Sequence, residues 1–187
     1  MDLNEIIKNR RATPPKFLAK KEVDQELILT LLENANWAPN HKNTEPWRFI
    51  VFQGESKQHL AESVFAFLNE KQKEGKEVNM QKALNFKDNL LHVPVVMAIV
   101  MQRDAAQRIP EWEEMAAVSM AVQNMWLTAT NLGLGAFWAT PPFLSLIQPL
   151  LDLKSDQKLL GFFFVGHVAM DYPSPGRESV SEKIQWK

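Results

Sequence analysis

Two adjacent guanidinium side chains, Arg10 and Arg11, stand near the start of this 187-residue chain, and a third, Arg177, stands in the segment PSPGRES near its end. Guanidinium presents a planar fork of donors that matches phosphate, so the three together would make a phosphate clamp. Read alone, Arg10 and Arg11 have a simpler use. They follow a short helix, and cations complement the negative end of a helix dipole. The residue types leave both uses open. A second group of donors lies in NWAPNHKNTEPWRF, where Asn40, His41, Lys42 and Asn43 are bracketed by Pro39 and Pro46. Amide, imidazole and ammonium donors crowded into one loop suit a planar ligand rich in carbonyls, and loops are where function concentrates. The plain alternative is a surface turn feeding a strand, but two tryptophans and two prolines exceed what a turn needs.

Several chemistries are excluded by residues the chain lacks. With zero cysteines there is no disulfide, no thiolate metal site and no thiol nucleophile, a composition that fits a reducing compartment. HExxH, P-loop and G-x-S-x-G patterns are missing, and GLGAF around Gly133 follows a helix instead of joining a strand to one. The four histidines, His41, His59, His92 and His167, have no short spacing that would make a metal pair, so no metal is expected. A net charge of -1 and a pI near 6.4 supply no field that would draw nucleic acid or an anionic membrane. The acidic start and the short apolar runs argue against an export signal or a bilayer span, so a cytoplasmic protein is expected.

The elements that would position these groups can be read from periodicity. Asp2 caps a short helix carrying Leu3, Ile6 and Ile7, which Pro14-Pro15 must end. A second helix begins near Asp24 with Leu27, Ile28, Leu31, Leu32 and Ala35 as its stripe, and stops before Pro39. Trp47 to Phe52 reads as a buried strand. Ser56 is expected to cap the next helix, with EKQKEGKE after it as a solvated loop or lid. A helix over 81–91 leads into the strand 95–101, whose continuous apolar character predicts a central place in the sheet. Pro110 opens a long helix to about Leu132 at its first helical position, with Met115, Val118, Val122, Met125, Trp126 and Ala129 as core. Strands over 136–140 and 159–166 flank a short helix over 144–150. The last twenty residues are irregular yet carry Ile184 and Trp186, which suits a tail that wraps a partner.

Arg10-Arg11 after the first helix, APNHKNTEPWRF before the first strand, a long helix running into NLGLGAFWAT, and Arg177 after the last strand share an order and spacing that resembles the nitroreductase family. The resemblance spans almost the whole chain and is closest to the smaller subgroup with the APxH…PW loop. It implies an α+β sandwich in which a central mixed sheet is flanked by helices, as a single domain over 1–187. It also implies a homodimer with an exchanged C-terminal segment and two FMN molecules at the subunit interface. The implied activity is that of an FMN-dependent NAD(P)H oxidoreductase. Such an enzyme would reduce nitroaromatic, quinone or related small-molecule acceptors by ping-pong hydride transfer, with NADH or NADPH as co-substrate.

By the same analogy the cofactor contacts are Arg10, Arg11, Ala12 and Arg177 around the phosphate. Trp37, Pro39, Asn40, His41 and Asn43 would reach in from the other subunit, and the backbone of Trp138, Ala139 and Thr140 would lie against the ring near N5. His41 is then a modulator and not a catalytic residue, because the flavin carries the hydride. Ala12 departs from the family pattern, which has Ser in an Arg-x-Ser motif; Thr13 or a backbone N–H is the expected substitute for the missing hydroxyl. Two other readings stay open at this point. One is a flavin-binding storage or sensor protein without productive turnover, and the other is a cofactor-free helical interaction domain in which the arginines are surface charges.

Overall fold

A computed structural model describes residues 1–173 and 176–187. Four strands form one sheet in the order β1-β2-β4-β3: β1 Trp47–Phe52, β2 Val95–Gln102, β3 Leu134–Ala139 and β4 Gln157–His167. Successive side chains on a strand point to opposite faces, and both faces are covered here. Met97, Ile99, Met101, Phe163 and Val165 pack on one side against α2 (Gln25–Asn36) and α5 (Glu111–Asn131). On the other side Val96, Ala98, Val100, Phe162 and Phe164 pack against α3 (Gly54–Lys73), α4 (Met80–His92) and α6 (Leu144–Ile147). The result is a helix-sheet-helix sandwich with the continuous apolar strand β2 at an inner position, as its composition predicts.

A mixed sheet was expected, and the ladders are all antiparallel. Connectivity explains the difference. Between β1 and β2 the chain makes two helical passes, α3 and α4, so it returns to the end where β1 finished and β2 must run back. A single pass through α5 leaves β3 parallel in direction to β2, but β4 inserts between them and is antiparallel to both. Among the described residues, parallel pairing is confined to one bridge, Ala12 to Ala136, on the β3 edge.

Local chemistry corrects four further expectations. Gln53, not Ser56, is the N-cap of α3; Ser56 sits at the third helical position, its hydroxyl accepting from the Gln53 N–H at 3.1 Å and donating to the Gln53 carbonyl at 2.8 Å. The charged stretch after it is no loop at first, because α3 continues through Lys73 before Gly75 breaks it at φ +83°. Pro110 caps α5 instead of occupying its first position. Met115 is exposed and Trp126 half-buried, while Glu114, Ala117, Ala121 and their neighbours form the buried stripe of α5. Glu114 is fully buried because it pairs with Arg103 and accepts from the Asp104 N–H at 2.7 Å. In the C-terminal segment, Val180–Lys183 form a 3-10 turn, Trp186 is 90% exposed, and Ser174 and Pro175 of PSPGRES lie outside the described residues.

Candidate functional site

The first arginines are placed by a helix, α1 (Leu3–Asn9), that starts from a reciprocal cap. The Glu5 N–H donates to Asp2 at 2.9 Å and the Asp2 N–H to Glu5 at 3.0 Å. After α1 the backbone extends and is stapled twice. Thr13 donates its N–H to the Ala136 carbonyl of β3 at 2.8 Å, and the indole Nε1 of Trp126 on α5 donates to the Arg11 carbonyl at 2.9 Å. The Arg10 guanidinium lies 4.9 Å from the centre of the Trp126 ring, which packs edge-to-face with Phe163 at 5.4 Å between ring centres. Cation-π stacking holds the guanidinium in one orientation.

The two arginines divide the alternatives between them. Arg11 turns back onto the end of α1, its Nη1 donating to the Lys8 carbonyl at 2.5 Å and the Arg10 carbonyl at 2.9 Å, which is the dipole-complementing role. Arg10 makes no such contact. It opens with Lys8, Gln123, Trp126 and Arg177 onto a cavity of about 680 Å³, and Arg11 lines the same space. Among the described residues no carboxylate pairs with Arg10, Arg11 or Arg177. Partial burial, then the charges of Arg177 and Arg11, hold the Arg10 guanidinium below its ordinary value. Arginine stays protonated all the same, so the cavity carries uncompensated positive charge and fits an anion.

Ala12 is exposed on the bridge to Ala136. Thr13 is not its substitute: the side chain is buried, its N–H is spent on Ala136, and it faces a smaller cavity of about 300 Å³ next to Gly135. The Arg10 cavity therefore gains no hydroxyl from Thr13.

Pro39 to Asn43 leaves α2 beyond Trp37, which is 84% exposed. Lys42, Asn43 and Glu45 hold φ of +54°, +51° and +42°, a left-handed backbone that non-glycine residues adopt only when contacts enforce it. The Asn40 side chain accepts from the Glu45 N–H at 3.0 Å, Lys42 Nζ donates to the Arg108 carbonyl at 3.2 Å, and His41 Nδ1 meets Glu113 Oε2 at 2.7 Å. The loop is thus fastened to the start of α5, whereas Arg10 stacks toward its other end, on Trp126. Glu113 and Trp126 are thirteen residues apart, about 20 Å along a helix rising 1.5 Å per residue. Within one chain the loop and the arginines do not meet.

Trp138, Ala139 and Thr140 end β3. The Trp138 indole donates to the Leu160 carbonyl at 3.3 Å and passes over Gly161, where a Cβ would lie 2.3 Å from its Nε1. This strand end borders a cavity of about 350 Å³ shared with Lys82, Asn85 and Asn89 of α4. None of these three carries a readable signal in the sequence. Trp126 does: a large ring with a polar N–H among small residues needs a partner at its tip. A separate cavity of about 490 Å³ lies on the α3 face between Ile50, His59 and Asp152, across the sheet from Trp126.

The family model described as nitroreductase family matches residues 7–167. A putative NAD(P)H nitroreductase of Bacillus subtilis, YfhC, is 34% identical over 167 residues, covering 88% of this chain and 84% of the relative. A nitroreductase-like family protein from Bacillus cereus superimposes with a TM-score of 0.83 at 26% identity, covering 100% of this chain and 96% of that one. A putative nitroreductase from Desulfovibrio desulfuricans in complex with FMN shares the fold, with a TM-score of 0.77 at 20% identity over 100% of this chain and 97% of that one. With a family match over most of its length and a relative 34% identical across 84% of that relative's length, the chain belongs to the nitroreductase family.

Proposed function

We propose that this chain, folded as a single domain over 1–187, is an FMN-dependent NAD(P)H oxidoreductase that reduces nitroaromatic, quinone or related organic acceptors. The observation that carries the reading is the uncompensated charge of Arg10, Arg11 and Arg177 at one cavity, which fits the phosphate monoester of FMN. FMN, when bound, supplies a two-electron carrier that links NAD(P)H oxidation to acceptor reduction. The chain's own residues bind and orient. Arg10, braced by Trp126, takes the phosphate and Arg11 fixes the end of α1; Trp138, Ala139 and Thr140, which border a different cavity within one chain, are assigned to the ring side by analogy with the family alone. Nicotinamide and acceptor then use one open face in turn, which is ping-pong order.

A second copy completes the site. On α5, Trp112 is 67% exposed and Met115, Ser119, Met120 and Gln123 continue that outward face. Two such faces related by a two-fold axis near Ser119 and Met120 bring the Glu113 end of one helix to the Trp126 end of the other. The Trp37 to Asn43 loop of each copy then reaches the arginines of its partner. The exposed tail residues Ile184 and Trp186 are available to cross over in the same dimer. Among the described residues no helix is long and apolar enough to cross a membrane, and the cysteine-free composition suits work in the cytoplasm.

The test is the absorbance spectrum of the purified protein, recorded before and after each nicotinamide is added without oxygen. Flavin bands that bleach with NADH or NADPH support the reading and identify the donor. A yellow protein that bleaches with neither is a storage or sensor protein. A colourless protein that gains no thermal stability from FMN overturns the assignment altogether.

A further inference from the structure

We infer that Glu113 is a positioning residue that holds His41 with its Nδ1–H toward the carboxylate and its Nε2 outward, so that His41 delivers a proton to the acceptor. The inference rests on the oxidoreductase reading and on a loop supplied across the dimer. His41 Nδ1 lies 2.7 Å from Glu113 Oε2, with the His41 side chain 57% exposed and Glu113 24% exposed. A carboxylate on one ring nitrogen selects the tautomer and leaves the other nitrogen free for chemistry. The strained backbone at Lys42, Asn43 and Glu45 shows that the loop is held in this pose. Two neighbouring cations are committed elsewhere: Lys42 to the Arg108 carbonyl, and Arg108 itself to Asp104.

The reaction leaves a proton unassigned. NAD(P)H provides a hydride, two electrons and one proton, while a quinone needs two electrons and two protons to become a hydroquinone. In the proposed step the Nε2–H bond of the His41 imidazolium breaks and an O–H bond forms on the acceptor. The imidazole that remains keeps its Nδ1–H on Glu113, and solvent restores the Nε2 proton.

Two measurements test this. In protein labelled with ¹⁵N-histidine, at a pH where the ring is neutral, His41 is expected as the Nδ1–H tautomer. Glu113→Gln, which still offers an acceptor oxygen, should keep that tautomer, and Glu113→Leu should lose it. With reduced protein and p-benzoquinone, His41→Ala should slow the acceptor half-reaction about 100-fold and Glu113→Leu about tenfold. The readout is the ratio of the acceptor to the NAD(P)H half-reaction in each variant at saturating FMN, because a general loss at the site slows both and loss of the proton slows only the first. A wild-type His41 in the Nε2–H form, or an acceptor rate unchanged in Glu113→Leu, overturns the inference. Protein that neither binds FMN nor bleaches would instead overturn the oxidoreductase reading, and the tautomer would still be measurable.

Discussion

Replacing Arg10 by alanine should separate ligand binding from folding. In the ligand-free protein the change removes a stack over Trp126, which contributes about 0.5–1 kcal/mol, and also removes a charge repelled by Arg177 and Arg11. The two effects oppose, so thermal stability without FMN should hardly move. With FMN the loss is one-sided: charge-assisted hydrogen bonds contribute about 1.5–3 kcal/mol, so Kd should rise roughly 10- to 150-fold. FMN at one hundred times the wild-type Kd stabilises the native state by about 2.7 kcal/mol; for a variant 30-fold weaker, the same FMN leaves about 0.9 kcal/mol. At roughly 2–4 °C per kcal/mol for a chain of this size, the FMN-induced shift should fall from about 5–11 °C to about 2–4 °C. Thermal melts of deflavinated protein across an FMN titration read both quantities. Arg11→Ala provides the contrast. It loses two hydrogen bonds to the end of α1, so its ligand-free melting temperature should drop while FMN affinity changes less. If Arg10→Ala binds FMN as tightly as wild type, or Arg11→Ala is the weaker binder, the division of roles is wrong.

Gly161→Ala should destabilise the protein by about 2–4 kcal/mol, since the new Cβ meets Trp138 Nε1 at 2.3 Å and the Ala139 carbonyl at 2.6 Å with φ at +147°. Urea unfolding reads it, and an unchanged midpoint would show that Trp138 moves aside freely. Asp104 supplies a pH test: hydrogen bonds from the Arg108 side chain and backbone hold its carboxyl down to about 2. The folded value lies below the unfolded one of about 4, so the contribution is complete above about pH 4 and is lost as pH falls through about 2. Wild-type stability should therefore fall toward that of Asp104→Asn across this window. A difference between the two that stays constant from about pH 5 to pH 2 would refute it.

Much of the framework was legible because it depends on local patterns. The apolar run of β2 announced a strand covered on both faces, and the spacing of Ile28, Leu31 and Ala35 marked the buried side of α2. The order of Arg10-Arg11, the APNHKNTEPWRF loop and Arg177 was enough to indicate the family. Sheet direction was not legible, since it depends on how many helices the chain passes through between strands and on β4 inserting between β2 and β3. Met115 misled for a related reason: the stripe of a helix flanked by both a sheet and an open face includes outward apolar residues that periodicity alone cannot separate.

The sequence by itself determined that an arginine pair follows a capped helix, and on that evidence both members had the same two possible uses. Only the tertiary structure divided them. Arg11 is close enough to the carbonyls of its own helix to satisfy them, a contact that chain proximity supplies. Arg10 is turned toward Trp126 and Arg177, which lie 116 and 167 residues away in the chain, and only folding brings them to one cavity. Three like charges with no carboxylate paired to them among the described residues are costly to assemble, so the packing that gathers them is the physical reason to expect an anion there.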